Sequence, residues 1–326
     1  MPADGLVGWT PVHVAWDDGT PTVQWRDLRG LALTDPFFDD TVQRALREPY
    51  RLLFAAGTPP AALAEVAAAS PAPPAPTAFV LHASRCGSTL IAAMLRALDG
   101  ALVVSEPPVL DGILRADLHG GVSDATRAAW LRAAVALLGQ GRDATRFFIK
   151  LDAWSTRDLG LLASTFPDVP LIFSYRDPAE IVASQLRVRG AHMVPGLLPP
   201  ALFGLDAARV TTLAPEDYCA RVVGSVLEAA LTQADDRCRL IDYTMLPGAV
   251  AEAILPHCGI DPTQEELARM RDVAALDAKN PYLPFDPAQP GRLPAVTPAV
   301  EAAARRWAGD AYAALEARRR GAEVAA

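Results

Sequence analysis

From residue 77 onward, short apolar runs alternate with longer stretches whose apolar positions recur every three to four residues. The runs at 78–82, 101–105, 146–151, 170–175 and 238–242 predict strands. The stretches at 88–98, 123–138, 156–165, 178–188 and 216–234 predict helices, and a last amphipathic helix is expected over 298–320. Strands separated by helices call for right-handed crossovers and a mostly parallel sheet. The fold class is therefore α/β, a three-layer sandwich around a central sheet of about five strands. In such a sheet ligands bind beyond the carboxyl ends of the strands.

Residues 1–68 read differently. Positions 12–16 and 22–25 alternate apolar and polar, and Asp17-Asp18-Gly19-Thr20 between them supplies turn chemistry, so a β-hairpin is predicted. A helix is expected over 39–47. His13 reads as structural, and Trp16 and Trp25 as core rather than as a partner surface. Residues 69–76 are a proline-rich linker, stiff and extended. The chain thus divides into a small N-terminal module of 1–68, the linker, and an α/β domain over 77–326.

Composition narrows the function. The 326 residues carry a net charge of −8, which argues against nucleic acid as a partner and weakens polyanionic substrates. Cys86, Cys219, Cys238 and Cys258 are widely spaced without a C-x-x-C, the pattern of reduced thiols rather than of disulfides or a metal site. The first residues lack a basic and then apolar leader, and no apolar run reaches membrane-spanning length, so a cytoplasmic protein is expected. Of 30 basic residues only Lys150 and Lys279 are lysines. An ammonium is a compact point charge where a guanidinium is a planar fork, so two retained lysines are candidates for chemistry, against the plain alternative of chance.

The richest stretch begins at Thr77. The run Phe79-Val80-Leu81 ends in a small polar loop that closes on Gly87-Ser88-Thr89, and a helical pattern follows at once. Strand, glycine-bearing loop and helix mouth together form a phosphate cradle, because free N–H groups and the positive helix end point at one place. The nucleotide signature G-x-x-x-x-G-K-[ST] is absent: Gly87 stands before Ser88, and the cation is Arg85. A second candidate site is Tyr175-Arg176-Asp177-Pro178-Ala179-Glu180, where a buried strand ends and a helix begins. Asp177 is an N-cap, Pro178 a first helical residue, and Glu180 stands at the capping-box position. Arg176 falls at this helix mouth, suited to phosphate, with a salt bridge as its bland alternative. Ser184 follows two turns along.

With these residues in place the chain resembles the sulfotransferases that use 3′-phosphoadenosine 5′-phosphosulfate (PAPS), most nearly the arginine-loop type of tyrosylprotein sulfotransferases and their bacterial relatives. The resemblance spans roughly residues 77–260 and implies a P-loop fold. It implies that Ser84, Arg85, Cys86, Gly87, Ser88 and Thr89 hold the donor's 5′-phosphosulfate, and that Arg176 and Ser184 hold its 3′-phosphate. It further implies Glu106 as general base, Lys150 as a catalytic cation with Arg85, Tyr243 at a late strand end, and Lys279 in a late loop near the 3′-phosphate. Cys86 departs from the family's usual serine and removes one hydroxyl donor. No metal is implied.

The chemistry agrees. Sulfuryl transfer builds negative charge on the donor's oxygens, which Arg85 and Lys150 can meet, and it needs a base for the acceptor's proton. Glu106 follows the apolar run Val103-Val104, and its bland alternative is a cap or a surface carboxylate. Lys150 ends Phe147-Phe148-Ile149, a costly place for an ammonium without an anion. His82 is the rival base and reads instead as packing or orienting the loop. His192 lies in the Pro-, Leu- and Phe-bearing stretch 190–204, either a lid or acceptor wall or ordinary packing. The expected acceptor is a small or lipid-like alcohol, or an amine, and a homodimer stays open. Two other functions fit less well: an ATP- and magnesium-dependent P-loop phosphotransferase using Asp152 or Asp242, and a non-catalytic binder of adenosine bisphosphate.

Overall fold

The structure, a computed structural model, describes residues 3–278, 280–284 and 295–325. Five strands form one parallel sheet: β4 (Pro76–His82), β5 (Ala101–Ser105), β6 (Arg146–Lys150), β7 (Leu171–Tyr175) and β8 (Cys238–Asp242). Each begins and ends within two residues of its predicted position. Their order across the sheet is β5-β6-β4-β7-β8, and every adjacent pair is parallel. The connection leaving β4 runs to β5 on one side, while the connection leaving β6 runs to β7 on the other. The switch point therefore lies at the carboxyl ends of β4 and β6, where a crevice opens for a ligand.

Helices cover both faces, as a fully buried sheet requires. On one face lies α3 (Ser88–Arg96), whose Ile91, Met94 and Leu95 pack with Val80, Val103 and Ile172. On the other lie α5 (Asp124–Gly139), α6 (Leu159–Thr165), α7 (Pro178–Arg187), α8 (Pro215–Gln233) and the long α10 (Pro298–Ala325). Gly224 of α8 lets the backbone of α10 come close, since a Cβ there would overlap the Trp307 carbonyl. Between α8 and α10 in the chain, α9 (Gln264–Ala274) crosses to the first face and packs against α3. Among the described residues no helix is long and apolar enough to cross a membrane.

The predicted hairpin is present and gains a strand. β1 (Thr10–Asp17) and β2 (Thr20–Arg26) pair antiparallel through a two-residue turn, with φ of +45° at Asp18 and +77° at Gly19. Both central residues at positive φ are what the right-handed twist of a hairpin asks of so short a turn. β3 (Ala56–Thr58) then joins the free edge of β2. The expected helix forms as α1 (Phe38–Ala45). A second helix, α2 (Ala62–Ala69), was not foreseen, because a run of alanines carries little periodic signal; Leu63 and Val66 anchor it. Trp25 is fully buried, as expected of core, and its indole N–H donates to Thr58 Oγ1 at 2.9 Å.

This sheet packs on helices that cover the larger one. Val14 and Trp25 share one apolar cluster with Phe79, Leu110 and Leu137. β1 lies on α4 (Pro108–Leu114), where Gly112 leaves room for Val14, and Gln140 donates to the Trp9 carbonyl at 2.7 Å. The N-terminal residues thereby reach the carboxyl edge of β5 and β6.

Candidate active site

The loop after β4 is held in an unusual backbone shape. Ser84, Arg85 and Gly87 all take positive φ, at +66°, +50° and +82°. Among the described residues no carbonyl accepts from the N–H groups of Arg85, Cys86 or Gly87. Consecutive N–H groups turned one way beside a helix N-terminus make an anion nest. The turn is locked from below: Cys86 Sγ donates to the Ser174 carbonyl at 3.0 Å, and Ser174 Oγ donates back to the Cys86 carbonyl at 2.7 Å. Burial first of all pushes the Cys86 thiol up. Cys86 therefore fastens the loop to β7 from inside. Gly87 is required, since a Cβ would overlap Leu246 Cδ1 and stand 3.2 Å from the Tyr243 ring. Ser88 opens α3 and is buried, and Thr89 beside it is half-buried.

The second motif comes to the same loop. Asp177 caps α7 through Ala179 N at 2.8 Å and Glu180 N at 3.2 Å. The capping box does not close, because the Glu180 carboxylate bonds Arg176 instead. Arg176 also stacks on the Tyr243 ring, 4.1 Å to its centroid, and reaches the Arg85 carbonyl at 3.4 Å. Loop, Arg176 and Tyr243 thus form one patch. Asp242 caps the Tyr243 turn through Thr244 N at 2.9 Å. Ser184 is half-buried on α7. The residue beside it, Gln185, was not foreseen: it is buried and donates to Ser84 Oγ at 2.8 Å while accepting from Gly190 N at 2.9 Å. A glutamine on an otherwise apolar helix face was the available signal. The Arg85 guanidinium donates to the Val188 carbonyl at the end of α7, at 2.5 Å, rather than to the Glu106 carboxylate. Lys279 lies outside the described residues.

The other half of the site gathers at β5 and β6. Lys150 is 1% exposed, sits in register with Val80 and Ser105, and its ammonium bonds Glu106 Oε1. The Glu106 amide donates to the Lys150 carbonyl at 2.6 Å, and Glu106 itself is at φ +53°. Burial alone would raise the Glu106 carboxyl, but the Lys150 ammonium and the His82 ring outweigh it and hold it at about 2. Three of the four non-glycine residues at positive φ in the described chain are Ser84, Arg85 and Glu106, so backbone strain concentrates here.

Beside Glu106 opens a cleft of about 430 Å³. Phe37 and Trp154 face it as rings, Asp39, Asp40, Asp111 and Asp152 as carboxylates. Phe37 comes from the N-terminal segment and stands 5.2 Å from the Lys150 ammonium. Asp111 is engaged by Arg115 and by the Trp154 indole, at 2.6 Å. Asp152 has no side-chain partner among the described residues, and burial, then Glu106 and Asp111, push its carboxyl well above the usual range. Met193, Leu202 and Phe203 of the 190–204 stretch are buried in the core, and none of that stretch lines the cleft. His192 packs its ring on Trp154, with centroids 5.2 Å apart.

No protein-family model and no curated protein sequence matches the chain. Solved structures do. The sulfotransferase domain of the Synechococcus PCC 7002 olefin synthase is 19% identical, with a TM-score of 0.41 over 76% of this chain and 95% of that one. The sulfotransferase domain from the curacin biosynthetic pathway is 18% identical, with a TM-score of 0.38 over 72% and 91%. Sulfotransferase STF1 from Mycobacterium tuberculosis H37Rv is 16% identical, with a TM-score of 0.42 over 70% and 75%. These are similarities in overall structure, and no residue's role is taken from them.

Proposed function

We propose that this chain is a PAPS-dependent sulfotransferase that moves a sulfuryl group to a hydroxyl or amine acceptor. One observation carries the reading above the rest. An anion nest at Arg85–Thr89 and a buried Glu106–Lys150 pair stand side by side at the switch point of the sheet. The nest, Arg176 and Tyr243 fit a donor with phosphates at two ends. PAPS supplies the sulfuryl group: its bond to the 5′-phosphate oxygen breaks as the bond to the acceptor oxygen or nitrogen forms.

This chain's residues do the rest. Glu106 takes the acceptor's proton. Its pairing with Lys150 keeps it ionised beforehand, and a Lys150 drawn toward donor oxygens would release that hold and raise its basicity. The cleft beside Glu106 admits the acceptor. Its carboxylates repel polyanionic acceptors, and its size suits a small molecule. Asp242, engaged in capping, and the missing loop lysine both weigh against the phosphotransferase reading. We place the activity in the cytoplasm.

The test is thermal. Adenosine 3′,5′-bisphosphate should raise the melting temperature by several degrees at a concentration 100-fold above its Kd, and ATP with magnesium by less. Equal or reversed shifts would overturn the reading.

A further inference from the structure

The ring of His82 touches both halves of the site. It ends β4 and is 6% exposed. Its Nδ1 accepts the Ser84 amide N–H at 3.0 Å. A ring nitrogen that accepts carries no proton, so the proton of the neutral ring sits on Nε2. Nε2 is buried without an aligned hydrogen bond and lies 3.3 Å from Glu106 Oε1, the oxygen that Lys150 also engages, so a small turn of the carboxylate would complete the bond. The Leu151 backbone is a further polar neighbour of the ring.

We propose that His82 is a positioning residue that ties the donor loop to the base, holding the turn at Ser84 through Nδ1 and aiming Glu106 through Nε2–H. The proposal rests on the reading of Glu106 as base. It accounts for two strained residues together: Ser84 and Glu106 keep left-handed backbone, and such shapes persist where the surroundings over-determine them. His82 bonds the amide of the first and abuts the carboxylate of the second. A movement of the loop on donor binding would thus pass to the base through one rigid ring.

The arrangement works only with a neutral ring, because a protonated Nδ1 would point a second donor at the Ser84 N–H. The charged groups around it are Glu106 after β5, Lys150 on β6 and, from the 190–204 stretch, His192. Burial and Lys150 disfavour the imidazolium more than Glu106 favours it.

Imidazole ¹⁵N NMR of the full chain at neutral pH reads the contact directly, with the His82→Asn variant assigning the signal. The expected result is a neutral ring protonated on Nε2; a proton on Nδ1, or a charged ring, would overturn the proposal. Two variants then separate the contacts. His82→Asn keeps an acceptor near the Nδ1 position but cannot reach Glu106. It should bind adenosine 3′,5′-bisphosphate like the parent, while the acid limb of donor turnover moves to higher pH. His82→Gln keeps the reach to Glu106 and loses the Ser84 bond, so bisphosphate binding should weaken about tenfold, the worth of one buried hydrogen bond. Equal damage by both variants to both readouts would mark a merely structural histidine and overturn the coupling. If the parent chain binds no adenosine bisphosphate, the functional reading falls, and the NMR result still decides the His82 contacts.

Discussion

The two halves of the site are built from different materials. The proposed donor half is mostly backbone: amides beside residues at positive φ, a glycine that admits Tyr243 and Leu246, and a guanidinium stacked on a ring. The proposed acceptor half is mostly side chain: carboxylates and two aromatic rings around Glu106, part of it supplied by residues 37–40. A cradle of amides suits a ligand of fixed geometry and high charge. A wall of side chains can change with little disturbance to the fold, so under the proposed function selection of an acceptor would fall there. Between the halves lie Lys150 and His82, each touching Glu106.

Variants on either half should break different things. Glu106→Gln preserves shape and removes the proposed base, so turnover should fall by about 10²–10⁴-fold while bisphosphate affinity in calorimetry stays near that of the parent. Joint loss of both would erase the division between the halves. Gly87→Ala acts on the donor half: left-handed backbone alone costs a residue with a Cβ roughly 1–2 kcal/mol. Overlap with Leu246 adds to that, so calorimetry should register at least about a tenfold loss of bisphosphate affinity.

Asp152→Asn should give the smallest effect, a gain in stability of about 1 kcal/mol at neutral pH, from removing an unpartnered carboxylate. A carboxyl raised in the folded state contributes stability while protonated and loses it as pH rises through its folded pKa. The gain from Asn should therefore shrink as pH falls, in urea unfolding followed from pH 7 to pH 4. Glu106 has the opposite sign. Held at about 2 against an ordinary 4.5, its contribution is full above 4.5 and is lost as pH falls toward 2. A gain that persists at low pH would place Asp152 in a different electrostatic setting.

The same contrast decides what could be read from the chain beforehand. The donor half is local: strand, loop and helix mouth occupy consecutive residues, so Arg85–Thr89 and Arg176–Pro178 declare themselves by pattern. The five strands did so too, because a parallel sheet covered on both faces leaves unbroken apolar runs. The acceptor half is not local. Phe37, Asp111 and Trp154 meet only after the N-terminal sheet docks on α4, and no spacing encodes that. Gln185 escaped for a related reason, since one polar residue on a buried helix face does not name its partner. His82 was legible as a loop-orienting residue, but its second contact depended on the backbone turn at Glu106.

The docking of the first sheet on helices that cover the second also sets an order of events during synthesis. β1 to β3 are complete by Thr58, yet Val14 and Trp25 share their cluster with Leu137 of α5, about 80 residues later. At roughly 5–20 residues per second the ribosome needs about 4–16 s to deliver that helix. For that interval the nascent N-terminal sheet lacks the part of its cover that α5 supplies. The N-terminal sheet therefore gains this part of its cover only after residues 37–40, Arg85–Thr89 and Glu106 of the site have already been made.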